Sequence, residues 1–286
     1  MTTSVEPSSA TERPSSVVRI TPPSSWPGVN WSELIGNREL LWFLTWRDVQ
    51  VRYKQTALGA AWAILQPLMA MAVFTVVLRR LAGVESDGIP YPLFAYAGLV
   101  AWTFHSTAVT QAANSLIMNE RIIAKVYFPR LLIPVAAVGA VLVDFALAAI
   151  VLGVIMAIYG VAPGAEIVLL PLYLLVLFAT TAGTGILLGA VNVRYRDVRY
   201  LLPFGMQMWL FASPIAYSTS LVPEAWQPVV AINPLVLAVE GMRHALLGTP
   251  APSTAVTITG AIGATLFLVV GVKVFRRFET TFADDV

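Results

Sequence analysis

Six apolar stretches, at about 57–81, 92–117, 131–159, 166–191, 200–218 and 254–275, decide what this 286-residue chain can become. A helix needs roughly 20 consecutive apolar residues to cross the hydrocarbon of a bilayer, and five of these runs exceed that. Hydrophobic residues make up 57% of the chain and charged residues only 12%, against about 25% charged in a soluble domain. The expectation is an all-α integral membrane protein.

Basic residues orient it, because Lys and Arg accumulate in short cytoplasmic loops. Arg13, Arg19, Arg38, Arg47, Arg52 and Lys54 precede the first run. Arg121, Lys125 and Arg130 follow the second, Arg194, Arg196 and Arg199 the fourth, and Lys273, Arg276 and Arg277 end the last. Only Arg79, Arg80 and Arg243 fall on the opposite side, with Glu85, Asp87, Glu166, Glu224 and Glu240. Both termini are therefore expected in the cytoplasm, with an even number of spans. Arg79 and Arg80 are expected to snorkel outward at the end of the first span.

The remaining apolar stretch, "VVAINPLVLAVEGMRHALLG", would spoil that parity as a seventh span, and Pro234, Glu240, Arg243 and His244 are costly in lipid. A re-entrant helical hairpin over about 220–247 fits better, since irregular backbone at membrane depth is tolerated where protein or a water-filled cavity surrounds it. The architecture expected is six spans plus this hairpin.

Residues 1–30 are rich in Ser and Pro and lack the apolar core of a signal peptide, so a disordered cytoplasmic tail is expected there. Residues 31–56 can form an amphipathic interface helix, with Leu34, Leu41, Trp42, Thr45 and Val49 on one face and Ser32 as N-cap. A cytoplasmic helix packing on a partner is the plainer alternative. Residues 279–286 are read as the cytoplasmic C-terminus.

Much is missing. No G-x-x-x-x-G-K-[ST] sequence occurs, so the chain has no P-loop for ATP. The only histidines, His105 and His244, are far apart, and no metal-ligand spacing or nucleophile elbow is present. Neither catalysis nor a bound cofactor or metal is expected. Cysteine is absent, and a net charge of +2 gives no case for nucleic acid. Asp144 is the one acid clearly inside a span; it reads as a helix-packing hydrogen bonder more readily than as a proton relay.

Four stretches occur in order: "RYKQTALGAAWAILQPL" (52–68), "NERIIAKVYFPRLLIPV" (119–135), "RYRDVRYLLPFGMQMWLFASPIAYS" (194–218) and "INPLVLAVEGMRHALLG" (232–248). Together they resemble the permeases of type-2 ABC exporters, in the branch that moves lipid-linked polysaccharides such as O-antigens, teichoic acids and galactan. The resemblance covers about residues 31–278. It implies that the segment after the second span is a coupling helix that docks on a separate ATP-binding subunit, which holds ATP and Mg.

Glu120, Arg121, Ile122, Lys125, Val126 and Phe128 are the coupling residues so implied. Arg121 and Lys125 share a face at i, i+4 and can meet acidic groups, while Ile122, Ile123 and Val126 can fill an apolar cleft. Pro129 ends the element. A positive-inside loop on lipid headgroups is the alternative. Arg194, Arg196, Asp197 and Arg199 correspond to the second cytoplasmic loop, a lesser contact or a purely topological one, in which Asp197 can pair with an arginine. Arg52 and Lys54 match the family's basic entry and can attract a diphosphate lipid head.

"SPIAYS" and the hairpin resemble an outer gate, with Pro214 breaking the fifth span. There Glu240 and Arg243, at i and i+3, can form an ion pair that locks the hairpin, or touch sugar hydroxyls. A glycan path needs stacking faces. The candidates are Tyr91, Phe94, Tyr96, Trp102, Phe104, Phe204, Trp209, Phe211 and Tyr217, and the alternative for each is a lipid-facing aromatic belt.

One subunit encloses too little for a glycan pore, so a second copy and two ATP-binding subunits are expected as partners, with a polyprenyl-diphosphate-linked glycan and membrane lipid. Gly185-x-x-x-Gly189 can mark a helix crossing between copies or within one. The Ala/Val-rich spans and Ser/Pro-rich tail are reminiscent of actinobacterial proteins, which favours galactan. A drug or small-lipid permease, an ion-coupled carrier working through Asp144, and a scaffold for cell-wall synthases are the alternatives.

Overall fold

The computed structural model describes residues 36–54, 61–126, 128–195 and 197–279, and these contain helices and turns but no strand. The tail, with Ser32 and Leu34, lies outside the described residues, as do Arg196 and the last seven residues.

Helix α1, Arg38–Lys54, packs along α5, Leu132–Ile158. Its inward stripe is Leu41, Leu44, Thr45 and Val49, with Leu44 and Val49 buried. The 3.6-residue period explains this set: 41, 44/45 and 48/49 follow one another on one face. Thr45 sits against Gly139 of α5, where an added methyl would come within 3.2 Å of its Cγ2. Trp42 does not belong to that stripe as expected. It points outward with Phe43 and Trp46, and the two indoles stack at 6.1 Å. The outer face is therefore aromatic and the inner face aliphatic.

Helix α2, Ala61–Phe74, widens into a π-helical stretch, Thr75–Leu81. It is scarcely covered by the rest of the chain, and Arg79 and Arg80 lie exposed in its last turn. The centre of the fold is α3, Tyr91–Met118, flanked by α5 and by α6, Leu170–Arg194. Small residues let its neighbours close in: Ala95, Ala101, Ala108, Ala112 and Ala113 are completely buried.

Gly185 and Gly189 of α6 lie on that small-residue face. A methyl at Gly185 would meet the Ala112 Cβ at 2.7 Å, and one at Gly189 the Ala112 carbonyl oxygen at 3.0 Å. Gly183 faces the backbone of the last helix, α10, Thr254–Glu279, at Phe267 and Leu268. The glycine motif is therefore a crossing within one subunit.

Four segments are long and apolar enough to span a membrane: 61–81, 132–158, 165–194 and 254–279. A further bent pair is Glu224–Ala231 with Pro234–Leu247, at 99°. These helices make the chain a multi-pass membrane protein. Helix α3, at 28 residues or about 42 Å, is long enough but carries many Ser, Thr, Asn and Gln residues. Its neighbours shield it, so it does not need a lipid-compatible surface.

The fifth expected span is the larger departure. Helix α7, Val198–Phe211, has 14 residues, about 21 Å, and residues 212–218 are turns around Pro214. The hairpin region then runs through two short 3-10 turns into α8, Gln227–Ala231, and α9, Pro234–Leu247.

Candidate functional site

Two polar constructions and one exposed turn occupy opposite ends of the helical core. The exposed turn is α4, Glu120–Ile123, which follows α3 directly. Asn119 starts it: its carbonyl accepts the Ile122 and Ile123 N–H groups at 3.0 and 3.1 Å. The helical bonding continues as Ala124 N–H to Glu120 and Val126 N–H to Ile122, both 3.0 Å. Glu120, Arg121, Lys125 and Val126 are exposed, and Ile122 is half-buried.

Ile123 and Phe128 differ from the expectation. Both turn inward, into an apolar cluster with Leu44 of α1, Leu116 of α3, Leu131 and Leu132 at the start of α5, Val193 of α6 and Phe275 of α10. They anchor the turn and offer nothing to a partner. Its outward face is two cations, one acid and Val126.

Both flanks are tied down. Arg47 of α1 donates through Nη2 to the Asn119 Oδ1 at 2.8 Å, while Asn119 Nδ2 donates to the Ser115 carbonyl at 2.8 Å. On the far side, the Arg130 guanidinium donates to the Glu279 carbonyl at 2.6 Å, satisfying one of the unpaired carbonyls at the end of α10. The Arg130 N–H reaches the Glu279 carboxylate at 3.3 Å, and Arg276 holds the other carboxylate oxygen at 2.8 Å. In the second loop, Arg194 lies 5.8 Å over the Phe278 ring, while Asp197 and Arg199 are exposed at the start of α7.

At the same end, Arg52 is not an open headgroup site. It donates to Asp144 of α5 and to Gln111 of α3, and Tyr53 donates to the second Asp144 oxygen. Burial first, and then the bond to Asp144, holds the Tyr53 phenol above its ordinary pKa, so it remains a donor. Asp144 is thus a packing acid with two partners. The cluster borders a cavity of about 240 Å³ that also touches Trp62 and Thr107. Lys54 alone stands exposed.

The other construction is at the broken end of α7. Arg243 is 2% exposed. Its Nη1 donates to the Pro214 carbonyl at 2.7 Å, Nη2 to the Ile215 carbonyl at 2.6 Å and Nε to the Phe94 carbonyl at 3.1 Å. Its guanidinium also lies 3.5 Å over the Phe94 ring. The expected Glu240–Arg243 ion pair is absent among the described residues. The broken backbone presents carbonyls with no helical partner, and burying them unbonded costs more than leaving Glu240 to another donor. Glu240 accepts the Thr219 hydroxyl instead.

Gly98 makes this possible, since a methyl there would sit 2.6 Å from both Arg243 Nη2 and the Ile215 oxygen. Asn233 caps α9 by accepting the Leu235 N–H at 3.1 Å, receives the Trp209 Nε1–H at 3.1 Å and donates to Ser213 Oγ at 2.8 Å.

The aromatic candidates divide. Tyr91, Phe94, Tyr96, Trp102 and Phe104 are buried in the helix packing, with Phe94 and Phe104 each bordering a cavity. Phe104 packs edge-on to Phe145 and Phe178 at 5.1 and 5.2 Å, and the Tyr91 hydroxyl donates to the Ala216 carbonyl at 2.7 Å. Trp209 is half-buried beside His105, at 4.8 Å, and Tyr217 is half-buried with its hydroxyl on the Phe211 carbonyl at 3.2 Å. Phe204 and Phe211 are exposed, on one face of α7 with Tyr200 and Met208.

The sequence model of the ABC-2 type transporter matches residues 39–247, from α1 through α9. The chain belongs to the ABC-2 type transporter family. The match therefore includes both arginine clusters and the α4 turn of this ABC-2 chain. It is 28% identical over 261 residues to the O-antigen export system permease protein RfbA of Myxococcus xanthus, covering 89% of this chain and 98% of that one. It is 27% identical over 247 residues to the protein of the same name from Klebsiella pneumoniae, covering 86% and 94%. The polysialic acid transport protein KpsM of Escherichia coli is 23% identical over 208 residues, covering 70% and 78%.

Arg47, Asn119, Gln111, Asn233, Gly98 and Glu279 escaped the sequence reading. Only Asn233 carried a local signal: Asn followed by Pro marks an N-cap and first helical position. The others acquire roles through partners 59 to 149 residues away, which no spacing rule reports.

Proposed function

We propose that this chain is the membrane-spanning permease subunit of an ATP-driven exporter, moving lipid-linked polysaccharide from the cytoplasmic to the outer side of the plasma membrane. It works as a pair with a second copy, both termini cytoplasmic, and with two ATP-binding subunits that hold ATP and Mg. The observation that carries this is the near-full-length match to permeases named for O-antigen export, 94% and 98% of their chains. The α4 turn supports it, being exposed, basic and tied at both flanks.

In this mechanism the ATP-binding pair closes and pushes on Arg121, Lys125 and Val126. The turn cannot yield alone, because Ile123 and Phe128 root it in a cluster shared by α1, α3, α5, α6 and α10. Arg52 reaches a lipid diphosphate only by leaving Asp144, with exposed Lys54 as the first attraction. The aromatic path is reduced to Phe204, Phe211 and their neighbours on α7. The composition of the chain favours a galactan as the glycan.

The test is reconstitution with the ATP-binding partner in vesicles and assay of a lipid-linked glycan reaching the opposite leaflet. Transport that requires ATP is expected. Absence of transport of lipid-linked glycans, alongside ATP-driven movement of a drug or free lipid, would refute the reading.

A further inference from the structure

A cavity of about 450 Å³ lies at the end of the molecule away from the α4 turn, within the range of about 300–1,000 Å³ usual for small-molecule sites. It is built where the loop before α3 meets the turns after α7 and the face of α9. Asp87 supplies one wall: it accepts the Ser218 hydroxyl at 2.6 Å and the Ser220 hydroxyl at 3.1 Å. Its backbone is left-handed, at φ 50°, a conformation that Asp and Asn tolerate better than most residues. Glu240 supplies another wall and accepts the Thr219 hydroxyl. Glu224 stands exposed at the rim.

The balance of donors and acceptors is the informative part. A carboxylate offers about four acceptor positions, and Asp87 uses two with described partners while Glu240 uses one. Against the carboxyls of Asp87, Glu224 and Glu240, the lining holds one cation, Arg243, and three of its five N–H groups are directed to the Phe94, Pro214 and Ile215 carbonyls. The cavity is therefore rich in acceptors and negative in sign. That selects a ligand rich in hydroxyl donors and lacking its own negative charge, since a phosphate or uronate would meet like charge. Val222, Val230 and Val256 line the same space and suit the C–H face of a ring.

We propose that this pocket, between Asp87, Thr219 and Glu240, is a binding subsite for an uncharged, hydroxyl-rich sugar residue of the glycan as it leaves. The inference rests on the exporter reading for its glycan, but not for its chemistry. The site would favour neutral glycans at the exit and disfavour acidic ones.

The experiment is saturation-transfer NMR on the full chain in lipid nanodiscs, with methyl galactoside as neutral probe and galacturonate as acidic probe. Transfer to the neutral probe is expected, with none to the acidic one. Asp87→Asn combined with Glu240→Gln should weaken the neutral probe at least tenfold. If that variant does not fold, Ala251→Trp, a bulky substitution at an exposed lining position that leaves every carboxylate in place, should abolish the transfer. No transfer to the neutral probe, equal transfer to both probes, or transfer indifferent to the variants would each overturn the inference. Vesicle export by the wild type separates the two readings. If export proceeds while the pocket binds nothing, only this inference fails; if export fails, the exporter reading fails whatever the pocket binds.

Discussion

Arg243 and Arg52 sit at opposite ends of α3 and are held in opposite ways. Arg243 is enclosed and bonded to the Pro214 and Ile215 carbonyls of the broken segment, which have no helical partner, and to the Phe94 carbonyl of α3. Arg52 is bonded to the side chains Asp144 and Gln111, about one-fifth exposed, beside a cavity. Carbonyls fixed in a chain cannot exchange their donor for an anion, whereas a carboxylate partner can be displaced by another anion. The Arg243 end is thus a clamp and the Arg52 end a latch.

Arg243→Met should have the largest effect. It strands the two buried carbonyls of Pro214 and Ile215, at a cost of at least about 2 kcal/mol, and little folded protein should survive gel filtration in detergent. Arg243→Lys should rescue only part, because an ammonium lacks the planar fork that reaches carbonyls in three directions. Folded, thermally normal Arg243→Met would dissolve the contrast.

Gly98→Ala comes next. Its methyl would press on both the guanidinium and the Ile215 oxygen, costing about 1–3 kcal/mol, read as a drop in melting temperature. Gly205→Ala, with open space around it, is the control and should be neutral or slightly stabilising.

The Arg52 latch should be weaker. A double-mutant cycle of Arg52→Gln and Asp144→Asn should yield a coupling of about 1 kcal/mol or less, falling as salt is raised, because the pair is partly solvated. A coupling of several kcal/mol, insensitive to salt, would make it a second clamp. Of similar size in stability is Glu279→Ala, which removes the carboxylate contacts to Arg130 and Arg276 for about 0.5–1.5 kcal/mol. Its readout is transport per ATP hydrolysed, which should fall while ATP hydrolysis continues.

The unequal legibility of the two ends in the sequence has a physical cause. Apolar length reports lipid exposure, so the helices around 131–159, 166–191 and 254–275 could be read from hydropathy alone. Helix α3 was also found, although as a buried centre it is under no pressure to be apolar throughout. The short α7 was overextended because residues 212–218 are apolar enough to continue it, and the break depends on Pro214 together with Arg243, far along the chain. Spacing on one helix suggested a Glu240–Arg243 pair; the nearer demand came from carbonyls on other elements. The aromatics divided for a related reason: ring chemistry is the same in a lumen, in lipid or in a core, and only packing separates Phe104 from Phe204. The α4 turn was legible in its charges and illegible in its anchoring, where Ile123 faces inward and Val126 outward.

The most direct test of the account is co-purification in detergent of the full chain with its ATP-binding partner, comparing wild type with Arg121→Glu/Lys125→Glu. Both residues are exposed, with no side-chain bond to the core among the described residues, so the variant should fold as the wild type does, with an unchanged melting temperature. The account predicts a stable wild-type complex that the charge reversal breaks. A folded variant that binds the ATP-binding subunit as well as the wild type would contradict it.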